Sequence, residues 1–385
     1  MASFFLPLFI ITITFQINNS NGYLLLKVNK DAQTHQYTTQ LLIGSPQLPA
    51  KLVVHLSGES IWVKCPKTSS SRNVIHHGSI PCLISKPEKS DKLSLFGPTT
   101  ICEIRQTNPI TYESGFGEVV QDMVSVDGFG SVGKFMFSCS SDALVNGLEV
   151  GSQGILGFGR SKIAFQNQIV DNFDISRSFV VCLSSSNGFI QVGASNNRIT
   201  KSLSYTPLIK TAGFDGGYFV NVNSVNINGR KMVLGQVIGG VEISSVVPYT
   251  MMKSTIFEVF TRGYLRAAEL MNMTRVAPVA PFGYCFESQE MVPDIELVLQ
   301  SVFVKWKIQR RNSMVQVSDS VMCLGILDGG LGMNGLVVLG GYQLENRILE
   351  FNLGTSMMGF SSLLMEGNDC SNIRETVLTR KESLL

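Results

Sequence analysis

The chain has 385 residues, of which 44% are hydrophobic and 16% charged, and a formal net charge of +2. It is too long for a disulfide-stapled miniprotein and too apolar for a disordered chain, so one or two domains with substantial cores are expected. With 31 Lys+Arg against 29 Asp+Glu, the usual footprint of a non-specific nucleic-acid binder is absent.

The N-terminal segment is apolar from Phe4 to Phe15, carries no charge before Lys27, and runs into a small polar stretch around Asn18, Ser20 and Gly22. It falls short of the roughly 20 apolar residues a bilayer needs. Residues 1–22 therefore read as a secretory signal rather than an anchor, and no membrane contact is expected after its cleavage. Strand-length runs rich in Val, Ile, Leu, Phe and Thr follow at 36–43, 51–55, 60–63, 117–126, 133–138, 179–183, 188–192, 218–227, 302–308, 337–339 and 349–351, separated by Gly, Asn, Asp, Pro and Ser. Helical spacing is confined to 162–172 and, more clearly, 253–270, where Ile256, Phe257, Phe260, Leu265, Ala268 and Leu270 recur. The chain is expected to be mostly β.

Eight cysteines, Cys65, Cys82, Cys102, Cys139, Cys182, Cys285, Cys323 and Cys370, are even in number and widely spaced, which in a secreted chain implies a disulfide framework of undetermined pairing. There is no CxxC and no HExxH, and His76-His77 lies in a polar stretch that reads as a loop. No metal or cofactor is expected. The sequon Asn272-Met273-Thr274 offers a glycosylation site at Asn272 if it reaches the surface.

An internal repeat organises the rest. In the first half KLVVHLSGESIWV (51–63) precedes GILGFGR (154–160); in the second GGVEISSVVPYT (239–250) precedes LVVLGGY (336–342). Leu156 follows His55, and Leu339 follows Ser244, at nearly the same offset of about 100 residues. Two lobes, 23–200 and 201–370, with a polar tail at 371–385, are the domain reading.

With TTQLLIGSPQ (38–47), SIWVKC (60–65), FMFSC (135–139), YTPLI (205–209), PDIELVLQ (293–300), NSMVQV (312–317), VMCLGILDGG (321–330) and VVLGGYQLENRILEFNL (337–353) in that order, nearly the whole mature chain resembles the pepsin-like aspartic protease family. It is most similar to the plant extracellular group of basic 7S globulins, extracellular dermal glycoproteins, and xylanase and endoglucanase inhibitors. The resemblance implies an all-β, bilobal pepsin-like fold with a few short helices. It also implies the pairs Cys285–Cys323 and Cys182–Cys370, with Cys65–Cys139 and Cys82–Cys102 in the first lobe.

Pepsin-like catalysis needs two facing carboxylates that share a proton, one activating water and the other acting as acid. Each normally stands in Asp-Thr/Ser-Gly after an apolar strand. Here the two positions hold His55, in His55-Leu56-Ser57-Gly58, and Ser244, in Ser244-Ser245-Val246-Val247. Catalytic residues are therefore expected to be absent. A new Ser244–His55 pair would need an orienting acid and oxyanion donors, and no such pattern surrounds it; both residues, with Ser57 and Ser245, read as an interlobe hydrogen-bonded core. Glu242 lies on the same strand face as Ser244 but does not replace the lost carboxylate. TYESGFGEVVQD (111–122) occupies the flap region, with Tyr112 nearest the aromatic tip.

The resemblance implies a secreted, apoplastic, non-catalytic binding protein that inhibits microbial cell-wall glycoside hydrolases in plant defence. Its partner would be an extracellular protein, such as a fungal or plant glycoside hydrolase, or a peptide. A seed storage or structural glycoprotein is the alternative, followed by an active aspartic endopeptidase. Arg310 and Arg311 are the partner-binding candidates, because guanidinium pairs well with carboxylates. The loop before Cys370, where inhibitory relatives carry a basic residue, instead holds Glu366 and Asp369, which disfavours a purely acidic glycosidase cleft.

Overall fold

The computed structural model describes residues 22–66, 69–86, 100–126, 130–193, 202–211, 214–232, 240–333, 335–362, 364 and 369–374. The signal reading at 1–22, Gly22 apart, the junction at 194–201, Glu366 and the tail beyond 374 lie outside them.

A sheet shared by both halves forms the centre. Strand Tyr23–Lys30 pairs antiparallel with Asn187–Gly193, which pairs with Ser178–Cys182. That strand in turn pairs with Ile348–Asn352, followed by Met357–Phe360 and Ser204–Thr211. Each half thus contributes three strands. Period-two alternation turns one face of these strands inward, where Phe179 stacks on Phe351 at 4.7 Å and Tyr218 packs on Phe351 at 4.8 Å. One continuous apolar core runs from Leu24 to Phe360 and joins the lobes.

On either side the same strand pattern recurs. In the first lobe Leu48–His55, hairpinned to Tyr37–Ile43, runs parallel to Gly154–Gly157, pairing Val53 with Ile155, Val54 with Leu156 and His55 with Gly157. Trp62–Val63 then returns antiparallel to Gly154–Gly157 and parallel to Gly130–Cys139. In the second lobe Gly240–Ile243 runs parallel to Val337–Leu339, and Thr250–Met252 returns antiparallel to it and parallel to Ile326–Asp328. The repeated apolar pair ending in glycine follows from this layout. A Cβ on Gly157 would overlap the Ser60 carbonyl oxygen, and one on Gly340 would overlap the Tyr249 carbonyl carbon, so only glycine lets the returning backbone pass. The fold is all-β and bilobal, of the pepsin-like kind, with a few short helices.

The main helix, Ser254–Leu270, buries Ile256, Phe257, Phe260, Thr261, Tyr264, Ala267 and Ala268. Leu270, expected on that stripe, faces solvent at the end of the helix. The helix expected at 162–172 covers Phe165–Phe173 and so begins three residues later; a short helix at Ile80–Ser85 precedes it. The run at 302–308 is a strand only over Lys305–Ile308, because 301–303 form a turn that joins it to Ile295–Leu299. Residues 371–374, placed by sequence at the start of the polar tail, continue a helical turn that begins at Cys370. Disulfides join Cys65 to Cys139, Cys82 to Cys102, Cys182 to Cys370 and Cys285 to Cys323. No helix among the described residues is long and apolar enough to cross a membrane.

Candidate functional site

The loops that follow the two parallel strands meet between the lobes. His55 closes its strand, and its carbonyl accepts from Phe158 N at 2.9 Å and Gly58 N at 3.1 Å. The ring is half-buried and, among the described residues, has no hydrogen bond. Burial lowers its pKa to about 4, so the imidazole is neutral above that pH. A Cβ at Gly58 would be crowded, standing 2.9 Å from His55 Nδ1 and 3.0 Å from Gly157 Cα.

Ser244 is buried and turned onto its own loop. Its N donates to Leu339 O at 3.0 Å, and its Oγ accepts from Val246 N at 3.3 Å and Val247 N at 3.4 Å. The neighbouring hydroxyls cross between lobes instead. Ser245 Oγ donates to Val54 O at 2.7 Å and accepts from Leu56 N at 3.1 Å. Ser57 Oγ donates to Ile243 O at 3.0 Å and accepts from Tyr218 N at 3.3 Å. Burial raises the pKa of Glu242, and a hydrogen bond with Ser57 partly offsets that rise.

The third residue of each loop, glycine in the catalytic pattern, bears a side chain: Ser57 in one and Val246 in the other. Val246 is fully buried in a cluster with Val53, Trp62, Leu144, Leu148 and Ile155, against which Ile110 packs. The arrangement has no pair of carboxylates to share a proton. Among the described residues no hydrogen bond joins His55 to Ser244, so the neutral imidazole does not activate that hydroxyl. No cluster of three or more His, Cys, Asp or Glu among them could hold a metal.

Tyr112 lies at the tip of the hairpin formed by Glu103–Thr107 and Ser114–Val126. It adopts the left-handed conformation, φ 59°, and is 67% exposed. The tip is tied down by Asn108, whose amide donates to Leu144 O at 2.8 Å and Asn146 O at 2.7 Å, while its Oδ1 accepts from Ile110 N at 2.7 Å. Arg310 and Arg311 are exposed on the short helix Arg310–Ser313. Arg310 Nε donates to Gln289 O at 2.8 Å. Arg311 lies close enough to Asp369 to help keep that carboxyl below its usual pKa, after hydrogen bonds from Ser371 and Asn372. Arg311 and Asp369 are thereby electrostatic neighbours. Asn272 follows the long helix in a left-handed turn, φ 54°, with its side chain exposed.

Two features escaped sequence reasoning. The burial of Val246 was signalled only by an aliphatic residue where glycine belongs. Val302 and Phe303 were concealed inside an apolar run that looks like strand.

The fold and its paired loops define a pepsin-like protein lacking the catalytic carboxylates. Residues 37–194 match the family model described as xylanase inhibitor N-terminal, and residues 217–362 match xylanase inhibitor C-terminal; the chain belongs to this family, as a non-catalytic member. It is 34% identical to the probable aspartic proteinase GIP2 of Nicotiana benthamiana, over 92% of this chain and 92% of that protein. The crystal structure of edgp superposes with TM-score 0.81 at 33% identity, covering 91% of this chain and 97% of the other. That of conglutin gamma, a basic 7S globulin from lupine seeds, gives 0.82 at 32% identity, covering 91% and 98%.

Proposed function

We propose that this chain is a secreted binding protein of the apoplast whose partner is an extracellular glycoside hydrolase, a xylanase or endoglucanase, and whose effect is inhibition. One observation carries the reading: both dyad positions hold groups without peptidase chemistry, while the hydroxyls beside them cross between lobes and keep the body rigid. A rigid body limits the entropy lost when surface loops engage a partner. The two lobes are taken as 23–200 and 201–370, with the partner face on the second. Arg310 and Arg311 would meet carboxylates of the partner, and Glu366 and Asp369, which precede Cys370 in the sequence, would select a surface that also supplies cations. Four disulfides and a sequon at Asn272 support passage through an oxidising secretory route.

Calorimetric titration into fungal xylanase and endoglucanase, with hydrolysis rates measured in parallel, tests this reading. Saturable binding that lowers turnover of at least one enzyme is expected. The absence of both binding and inhibition at micromolar protein would reject it.

A further inference from the structure

The most exposed aromatic side chain among the described residues has no role in the fold. Phe303 is 91% exposed and its neighbour Val302 is 62% exposed, both in the turn between Ile295–Leu299 and Lys305–Ile308. Tight turns select Gly, Asn, Asp, Ser or Pro for backbone reasons, and Val-Phe meets none of them. Exposing a phenylalanine also forgoes burial that most folds would use.

The turn is nonetheless well fixed. Leu299 N donates to Val304 O at 3.0 Å, and Val304 N to Ser301 O at 3.0 Å. Phe303 N donates to Ser301 Oγ at 3.3 Å, and Asn223 Nδ2 braces Gln300 O at 2.9 Å. On the strand that follows, Trp306 is buried opposite Leu297, stacked on Phe360 at 4.8 Å and covered by the Arg347 guanidinium at 5.5 Å. A fixed apolar tip on a rigid base loses little freedom on binding, which is how interface anchors gain affinity.

We propose that Phe303, with Val302 beside it, is the apolar anchor that enters a concave pocket of the glycoside hydrolase partner; this rests on the functional reading above. Ligand clefts are lined largely by apolar and aromatic side chains, on which a phenyl ring packs edge-to-face or offset-stacked. Lys305 and Lys307 share the single carboxylate of Glu296 at 3.2 and 3.4 Å, which leaves a net positive rim for an acidic cleft. Those lysines also guard the edge of strand Lys305–Ile308 against strand pairing, so the tip rather than the edge is the contact. Arg310 lies about 20 Å from the tip along an extended chain, within the span of a standard interface of about 800 Å² per partner. A lipid surface is the poorer fit, because one ring and one valine bury too little in a bilayer without a larger cationic surplus.

The test compares the full-length wild type with Phe303→Ser and Val150→Ser, the latter removing a valine that is 82% exposed on the other lobe. Each is titrated into fungal xylanase and endoglucanase and sedimented with phosphatidylcholine–phosphatidylserine vesicles. Phe303→Ser is expected to weaken the bound enzyme's Kd about 30-fold or more, with Val150→Ser unchanged and both melting like the wild type. Equal affinity of Phe303→Ser and wild type would overturn the anchor while leaving the functional reading intact. Failure of the wild type to bind either enzyme would overturn both. Vesicle binding that depends on Phe303 would assign the tip to lipid and overturn the proposal.

Discussion

Residues 55–61 of the first lobe and 244–249 of the second occupy equivalent places, yet only part of their chemistry corresponds. In the first loop the crossing hydroxyl belongs to its third residue, Ser57; in the second it belongs to the second residue, Ser245. The leading residues differ more: His55 offers a neutral, half-buried ring, whereas Ser244 closes hydrogen bonds within its own loop. Glycine is kept at 157 and 340, where backbone passes over backbone, but replaced at 57 and 246, where a catalytic cleft needs clearance. The glycines kept let backbone cross backbone, whereas one of the residues that replace glycine, Ser57, adds a hydrogen bond between the lobes.

That contrast can be broken at graded cost. Gly157→Ala and Gly340→Ala should be the most damaging, each forcing a Cβ into backbone and lowering stability by about 3 kcal/mol, the upper end of ordinary overpacking; the midpoint of chemical denaturation reads it. His55 gives a pH-dependent effect of up to about the same size. Its pKa is depressed in the fold to about 4, so between pH 6.5 and 4 the unfolded chain takes up the proton and the folded chain does not. Stability therefore falls as the pH drops through that window, by up to about 3 kcal/mol. His55→Asn should flatten the fall. Glu242, raised in the fold, acts in the opposite direction, its contribution fading as pH rises through its folded pKa, so Glu242→Gln should steepen the acid loss.

Smaller effects separate the serines. Ser245→Ala leaves Leu56 N and Val54 O without this partner across the lobes and should cost about 2 kcal/mol. Ser244→Ala removes only two long bonds within its loop and should cost about 0.5 kcal/mol. If the denaturation midpoints ranked these variants the other way, the dyad position rather than its neighbour would be holding the lobes.

Much of this was legible in the sequence. The repeated apolar-apolar-glycine segments after His55 and Ser244 marked two lobes because the backbone crossing beneath each loop admits no side chain. The helix at 254–270 was legible because its buried stripe repeats at helical spacing. The shared central sheet was not: the partners that Tyr23–Lys30 and Ser204–Thr211 take in it, Asn187–Gly193 and Met357–Phe360, lie far away in sequence. Glu103–Thr107 was hidden by its polar composition, since alternate residues of this hairpin strand face solvent. Which serine crosses the interface depends on sub-ångström loop geometry that residue type does not encode. The turn at 301–303 does not show in the sequence because an exposed apolar turn and a buried strand have the same composition.

The interlobe site holds the lobes together and does no peptide chemistry. Incubating purified protein with denatured globin from pH 2 to 7, with and without pepstatin, tests it most directly. No pepstatin-sensitive cleavage is expected at any pH. Cleavage that copurifies with the chain and is blocked by pepstatin would contradict it.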